Sequence, residues 1–399
     1  MRTRHPADPR VSAGIVALAA IALLIGGAFA GLLFEGAHDF SGAWAAFDPY
    51  LLRVIRFTLW QAALSTLLSA IPALFVARAL SRHPRFFGRA FILQIFAVPL
   101  ALPAIVAALG ILALYGRAGY FAGVLALIGG GSWPGIYGLS GILVAHVFFN
   151  LPLATRLFLE ALQTIPADQW RLASQLGMAA RPAFRLIEWP TLRAALPGVA
   201  GLVFMLCITS FTIVLTLGGG PAATTLEVGI YQALRFDFDP ARAVTLTLLQ
   251  IALTFIVVLA LTRLGANVVG DTNLPVAQRR YLSVHRSETW LNALLIILAL
   301  LFVVGPMAAT VMAGLGADLG RLAGEATVRQ ATLTSVVLAF LSALLSVMLS
   351  LALTMARRAL ALNRRAGAKT LLEHAADTGA GFVLFLPPIG VGAGWFLFL

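Results

Sequence analysis

The sequence predicts an all-α polytopic membrane protein, a bundle of transmembrane helices. Of its 399 residues, 60% are hydrophobic and only 11% are charged, and the mean hydropathy is +0.94. Soluble domains of ordinary composition do not reach such values. Lipid offers backbone groups no hydrogen-bond partners, so a spanning segment must be a helix or part of a closed barrel. The apolar runs are long and continuous rather than alternating, which indicates helices.

Nine runs are long enough to span, since a transmembrane helix needs about 20 mostly apolar residues. They lie near residues 12–34, 57–79, 91–114, 136–157, 196–217, 243–264, 291–313, 331–355 and 380–399. Between the third and fourth runs, residues 121–128 are apolar but too short to span, and we expect an interfacial or re-entrant piece there.

The basic residues predict the orientation of the chain in the membrane. If the N-terminus is cytoplasmic, the even-numbered connections are cytoplasmic too, and that side takes 21 of the 28 lysine and arginine residues. Such a bias is typical of cytoplasmic loops. The net charge of +12 therefore reflects orientation, and we expect the bilayer rather than nucleic acid as the partner of these charges.

A weak internal repeat predicts the architecture. Residues 64–69 match residues 341–346 at five of six positions, and a second set of matches follows with Leu102-Pro103 corresponding to Leu386-Pro387. The repeats agree in register and in proline placement. We therefore expect tandem six-helix repeats, the second of them incomplete. The first repeat spans residues 1–265, a cytoplasmic linker 266–290, and the start of the second repeat 291–399, so the second copy of the loop at 160–197 would lie about sixty residues beyond the end of this sequence.

The polar loop at about residues 160–197, between the fourth and fifth runs, is the longest piece that could meet a soluble partner. Pro166 suits the first turn of a helix, so a short helix is expected to run to Leu176. Gly177 then supplies the backbone freedom that a C-terminal cap or a tight turn needs. A second short helix is expected to follow and to end at Trp189-Pro190, because proline disfavours helix in the preceding residue. Four apolar side chains are expected to be available to a partner's groove: Trp170, Leu172, Met178 and Phe184.

The loop resembles the coupling motif of permease subunits in binding-protein-dependent ABC importers. That motif reads Glu-Ala-Ala, three residues, Gly, nine residues, and Ile-x-Leu-Pro. Four positions match it in type and spacing: Ala173, Gly177, Ile187 and Pro190. Three positions depart from it: Arg171, Leu172 and Trp189. The outer segment 216–234 is similar to permeases for thiamine or thiamine pyrophosphate, which are fused double units of six helices.

The resemblance implies a type I ABC importer permease in a bacterial inner membrane. It implies a cytoplasmic ABC ATPase dimer docked on the loop and a periplasmic substrate-binding protein on the opposite face. It assigns six residues to ATPase coupling: Arg171, Leu172, Ala173, Gly177, Ile187 and Pro190. The expected substrate is thiamine or thiamine pyrophosphate, with ferric iron as the alternative because its permeases are also fused doubles. Arg171 stands where the family has an acidic residue, which favours packing around Gly177 over polar contacts.

Other function classes are less well supported by the residues. The only lysine, Lys369, lacks the glycines of a P-loop, so ATP hydrolysis is expected on a separate subunit. The span interiors hold essentially no charged groups, which disfavours an ion-coupled secondary transporter. No catalytic residue, metal site or cofactor is predicted. His146 and Asn150 are one turn apart and are interpreted as helix–helix contacts.

Three hydroxyl residues of the fifth run, Thr209, Ser210 and Thr212, could line a translocation path. They could equally bond to carbonyls of their own helix and let helices approach closely. Gln94 in the third run carries the same two interpretations.

Overall fold

A computed structural model of the chain describes residues 8–38, 48–129, 131–263, 286–362 and 387–398. Within these ranges the regular structure is helical and contains no strand, which confirms the all-α prediction. The α-helices are α1 Pro9–His38, α2 Pro49–Arg82, α3 Arg89–Ala101, α4 Ala104–Tyr115, α5 Ala122–Gly129, α6 Leu139–Gln163, α7 Ala167–Gln175, α8 Ala180–Ala183, α9 Trp189–Ile208, α10 Thr212–Leu217, α11 Leu226–Arg235, α12 Pro240–Arg263, α13 Arg286–Leu315, α14 Leu319–Gly324, α15 Ala326–Leu362 and α16 Pro388–Phe398. A π-helix, Phe184–Glu188, lies between α8 and α9.

Among the described residues, seven helical stretches are long and apolar enough to cross a membrane, or eight if one bent pair is counted as a span. The bent pair is α3 and α4, between which the chain bends by 111°. The run at 91–114, predicted as one span, is therefore two helices with a sharp bend between them, and it counts as a span only if the pair crosses together. Leu102 has an extended ψ of 133°, because the following Pro103 disfavours the helical conformation in the residue before it.

The predicted span at 196–217 also differs from a simple helix, because it is divided between α9 and α10 with an interruption at residues 209–211. Of the ninth run, residues 380–386 and 399 lie outside the described residues, and the described part holds the eleven-residue helix α16. The short apolar run at 121–128 forms α5, whose eight residues are too few to span, as predicted.

The chain divides into two compact units. The first comprises Met1–Trp44, Ala233–Thr245 and Gly314–Leu399. In its described parts α1 packs against α15 and α16, and the Trp395 indole donates to the Leu24 carbonyl at 2.9 Å. A Cβ at Gly394 would overlap the Ala28 carbonyl, so glycine permits the close helix contact that small residues give in membranes.

The second unit comprises Ala45–Gln232 and Leu246–Ala313 and carries the polar loop. At its centre α2 and α6 pack together along their lengths, and α9 packs against both. Large side chains such as Phe148 and Phe158 of α6 are fully buried between them. The loop is thus held at one end of a tightly packed three-helix core.

The predicted domain boundaries come from a repeat in the sequence, whereas the two compact units are defined by contacts between residues. The units therefore do not test the repeat. The boundaries 1–265, 266–290 and 291–399 therefore remain a prediction. Most of the predicted linker, residues 266–285, lies outside the described residues.

Candidate functional site

The first half of the polar loop forms the short helix that the sequence predicts. Helix α7 carries Asp168 in its first turn, where a carboxylate favours the positive end of the helix dipole. At the other end Gly177 has a φ of +58°. Its N–H bonds to the Ser174 carbonyl at 3.1 Å, and the Met178 N–H bonds to the Ala173 carbonyl at 2.9 Å. These two bonds form a Schellman cap, so the predicted C-terminal role of Gly177 is confirmed.

The residues of the coupling motif face two directions. Leu172 is 56% exposed, and Arg171 and Gly177 are also exposed, whereas Ala173 is buried. Further along, Ile187 packs partly against the core and Pro190 is exposed at the start of α9. The structure therefore brings Arg171, Leu172 and Gly177 to the surface of one short segment.

Two of the side chains predicted to reach a partner point inward instead. Trp170 is 1% exposed and belongs to the hydrophobic core, and Phe184 is half-buried against the same core. Trp170 lies one turn before Ala173, so both occupy the inner face of α7. The availability predicted for Trp170 and Phe184 is wrong, and these residues anchor the loop. The large apolar side chains that the loop does expose are Leu172, Leu176, Leu186 and Trp189.

The second half of the loop does not end at Trp189-Pro190 as predicted. Trp189 has helical angles, φ −62° and ψ −42°, and its N–H bonds to the Phe184 carbonyl five residues earlier. Pro190 has no N–H and its ring would clash with the carbonyl four residues back in a regular helix. A wider π turn relieves that clash, so α8, the π-helix and α9 run on without a break.

A buried carboxylate at the end of the π-helix was not singled out from the sequence. Glu188 is fully buried and lies 2.7 Å from Arg78 Nε and 3.3 Å from Arg82 Nε. Arg82 also pairs with Glu288 of α13 at 2.7 Å. We call Arg78, Arg82, Glu188 and Glu288 the ionic quartet. The sequence signal was a pair of arginines one helical turn apart and a glutamate within an apolar stretch, but nothing local connects them.

Polar side chains also join the helices in the middle of the second unit. Ser65 Oγ lies 2.9 Å from His146 Nδ1, and Asn150 Nδ2 lies 3.3 Å from Cys207 Sγ. We call this set, with Gln61, the polar seam. The interpretation of His146 and Asn150 as helix–helix contacts is confirmed, and their neighbour Cys207 is a buried free thiol.

The hydroxyl residues predicted for a translocation path lie at the interruption between α9 and α10. Thr209 Oγ1 donates to the Met205 carbonyl of its own helix at 3.0 Å, while Thr209, Ser210 and Thr212 are all partly exposed. Because the helix stops here, the last carbonyls of α9 lose their intrahelical partners. Gln61 Nε2 donates to the Cys207 carbonyl at 3.0 Å, so the polar seam caps the interrupted helix.

Fold and site together define a class: a polytopic helical membrane protein whose polar loop, capped and anchored, sits on a three-helix core. Residues 73–269 match the family described as binding-protein-dependent transport system inner membrane component, and this match contains the whole loop. The chain belongs to that family. It is therefore a multi-span inner membrane permease rather than an enzyme, of a family whose members work in general with an ATPase and a binding protein.

Relatives extend the match to nearly the whole chain. It is 52% identical over 394 residues to the thiamine transport system permease protein of Brucella abortus (strain 2308), covering 99% of this chain and 71% of that protein. The protein of the same name from Escherichia coli (strain K12) is 42% identical over 361 residues, 90% of this chain and 66% of its own length. The sulfate transport system permease protein of Salmonella typhimurium is 27% identical over 228 residues, 56% of this chain and 81% of its own length.

Proposed function

We propose that this chain is the membrane permease of an ATP-driven importer that moves thiamine or thiamine pyrophosphate into the cytoplasm. The observation that carries the proposal is the 52% identity over 394 residues to a protein named for thiamine transport. The sulfate permease matches at 27%, so the similarity is much stronger to the thiamine proteins.

The polar loop is the docking site for a separate cytoplasmic ATPase dimer in this proposal. Its exposed leucines offer an apolar patch on a rigid segment, with Leu172 at 56% and Leu176 at 67% exposure. Short helices with exposed apolar side chains fit grooves on soluble partners. Arg171, Leu172 and Gly177 make the contacts, whereas Ala173 and Ile187 hold the loop against the core. Pro190, exposed at the start of α9, sets the loop's shape through the π turn before it.

The proposal also assigns the two faces of the membrane. The 21 to 7 distribution of the 28 basic residues supports a cytoplasmic N-terminus and loop. A periplasmic binding protein then delivers substrate to the opposite face. Thr209, Ser210 and Thr212 lie at an interrupted membrane helix, a feature that often borders a substrate path because irregular backbone is tolerated beside a cavity.

Uptake of labelled thiamine tests the function directly. The full chain is co-expressed with its ATPase and binding protein in bacterial cells that lack their own thiamine permease. We expect ATP-dependent accumulation that unlabelled thiamine and thiamine pyrophosphate suppress, and that ferric iron and sulfate leave unchanged. The control is the same strain with an ATPase that cannot hydrolyse ATP. Accumulation of iron without accumulation of thiamine would contradict the proposal and favour the iron alternative.

A further inference from the structure

The ionic quartet joins three segments that are far apart in the sequence. Glu188 ends the π-helix of the loop, Arg78 and Arg82 end α2, and Glu288 lies in the first turn of α13. Beside it, Asn292 Nδ2 of α13 lies 3.2 Å from His83 Nε2, the residue after α2. The end of the loop is therefore tied by polar contacts to two membrane helices.

The geometry of the quartet is restrictive. The two oxygens of Glu188 accept from different guanidinium groups, Oε2 from Arg78 at 2.7 Å and Oε1 from Arg82 at 3.3 Å. Arg82 uses its other nitrogens for Glu288 at 2.7 Å and for the Ala180 carbonyl at 3.3 Å. Charge-assisted hydrogen bonds of this kind are directional. Each guanidinium is thus held in one orientation.

The cation–π contact of Arg78 adds a second link to the loop. Its guanidinium carbon lies 4.5 Å from the centre of the Phe184 ring, at the first residue of the π-helix. Arg78 therefore contacts both ends of the π-helix, Phe184 by its face and Glu188 by a hydrogen bond. One side chain of α2 therefore links both ends of the π-helix to that helix.

Stability alone does not explain why Glu188 and Arg82, whose side chains are 0% and 6% exposed, are buried here. Two positive and two negative groups balance one another, but a buried ion pair is often no more stabilising than apolar residues of similar volume. The loop already has an apolar anchor in Trp170, which is 1% exposed. Directional charged contacts give what apolar packing does not, a fixed angle between the loop and the helices it meets.

We infer that Glu188 is the positioning residue that transmits movement of the docked loop to α2 and α13. The inference rests on the proposed docking of an ATPase at this loop. A displacement of α7 moves the π-helix that follows it in the loop. The contacts of the two arginines with Glu188 then transmit this displacement to the end of α2. Helix α2 also bears Gln61 and Ser65 of the polar seam, so the movement arrives at the interruption between α9 and α10.

The first test neutralises the carboxylate while keeping its shape, with Glu188→Gln in the full chain assembled with its ATPase and binding protein. We expect assembly and basal ATP hydrolysis to persist. Stimulation of hydrolysis by loaded binding protein, and uptake per ATP, should fall about tenfold, within the range found when a coupling contact is removed. Glu325→Gln is the matched control, since this exposed carboxylate follows α14 and belongs to the other unit.

Changes at the two arginines separate transmission from simple stabilisation. Arg78→Lys keeps the charge but provides no planar fork, so it should lower stimulation less than Arg78→Gln does. The pair Glu188→Gln and Arg82→Gln should be no worse together than the more harmful single change, because the groups act as one unit. Stimulated hydrolysis per assembled complex equal to that of the unaltered chain in both Glu188→Gln and Arg78→Gln would overturn the inference.

A distance measurement tests, without any substrate, whether the ionic quartet holds the π-helix to α2. Spin labels at Ser81→Cys and Leu186→Cys, in a Cys207→Ser background, report the separation between α2 and the π-helix. With Glu188 present we expect one narrow distribution that ATP binding leaves unchanged, and with Glu188→Gln a broadened one. If Glu188→Gln does not assemble, Arg78→Lys is measured in its place. A distribution that is equally narrow in the variant contradicts the inference that the ionic quartet holds the π-helix to α2. Failure of the unaltered chain to take up thiamine contradicts only the proposed substrate.

Discussion

At the residue scale, Gly177 shows how one conformational requirement can be read from the sequence. Its φ of +58° and the two capping bonds it completes follow from a local rule about helix ends. A Cβ at this position would meet no atom within 4 Å. Any effect of a small side chain here is therefore an effect on backbone conformation rather than a steric overlap.

Gly177→Ala should loosen the cap of α7 by about 1 kcal/mol, because residues with a Cβ avoid the left-handed region. That free energy corresponds to a roughly fivefold faster hydrogen exchange of the Met178 amide, which donates to Ala173 across the cap. Gly177→Asn is the matched control, since asparagine tolerates the left-handed conformation. Equal exchange in the two variants would contradict the conformational argument.

Gly177→Trp should in addition abolish uptake, with membrane insertion intact, by obstructing the proposed docking surface.

Glu188 marks the limit of residue-level prediction. Its partners on α2 are 110 and 106 positions away, and no rule about local spacing joins a glutamate to such distant arginines. The prediction that Trp170 is available to a partner was wrong for a related reason. A large apolar residue on a polar loop can face a partner or its own core, and only the packing of α7 on the three-helix core decides between them.

At the scale of elements, helices were predicted well and their interruptions poorly. Long apolar runs give helices because the bilayer leaves no alternative, and hydropathy does not detect a bend. The 111° turn between α3 and α4 and the π turn before Pro190 both follow from proline. In the first case proline breaks the helix, and in the second a wider turn accommodates it. The neighbours of each proline determine the outcome.

The interruption between α9 and α10 is capped by a side chain of α2, and this capping role can be tested. Gln61 is fully buried and donates to the Cys207 carbonyl at 3.0 Å. Gln61→Leu should destabilise the protein by about 1–2 kcal/mol, because a buried carbonyl is left without this donor. Gln94→Leu is the matched control, since Gln94 is exposed on α3 and its removal leaves no buried group unpaired. Thermal unfolding of the purified chain in detergent measures both, and similar midpoints in the two variants would contradict the capping role.

At the scale of the whole molecule, the sequence predicts a feature that packing does not contain, the direction of the chain through the membrane. The charge bias is 21 of 28 basic residues on one side, and it acts during insertion rather than in the folded state. A reporter fused after Arg185, in the loop, should be active in the cytoplasm. One fused after Asp237, between α11 and α12, should be active in the periplasm. A phosphatase and a fluorescent protein at each position give opposite signals, so each fusion controls the other. If both sites report the same side, α9 and α10 do not complete one crossing. If the sides are exchanged, the loop lies outside the cytoplasm and cannot meet an ATPase there.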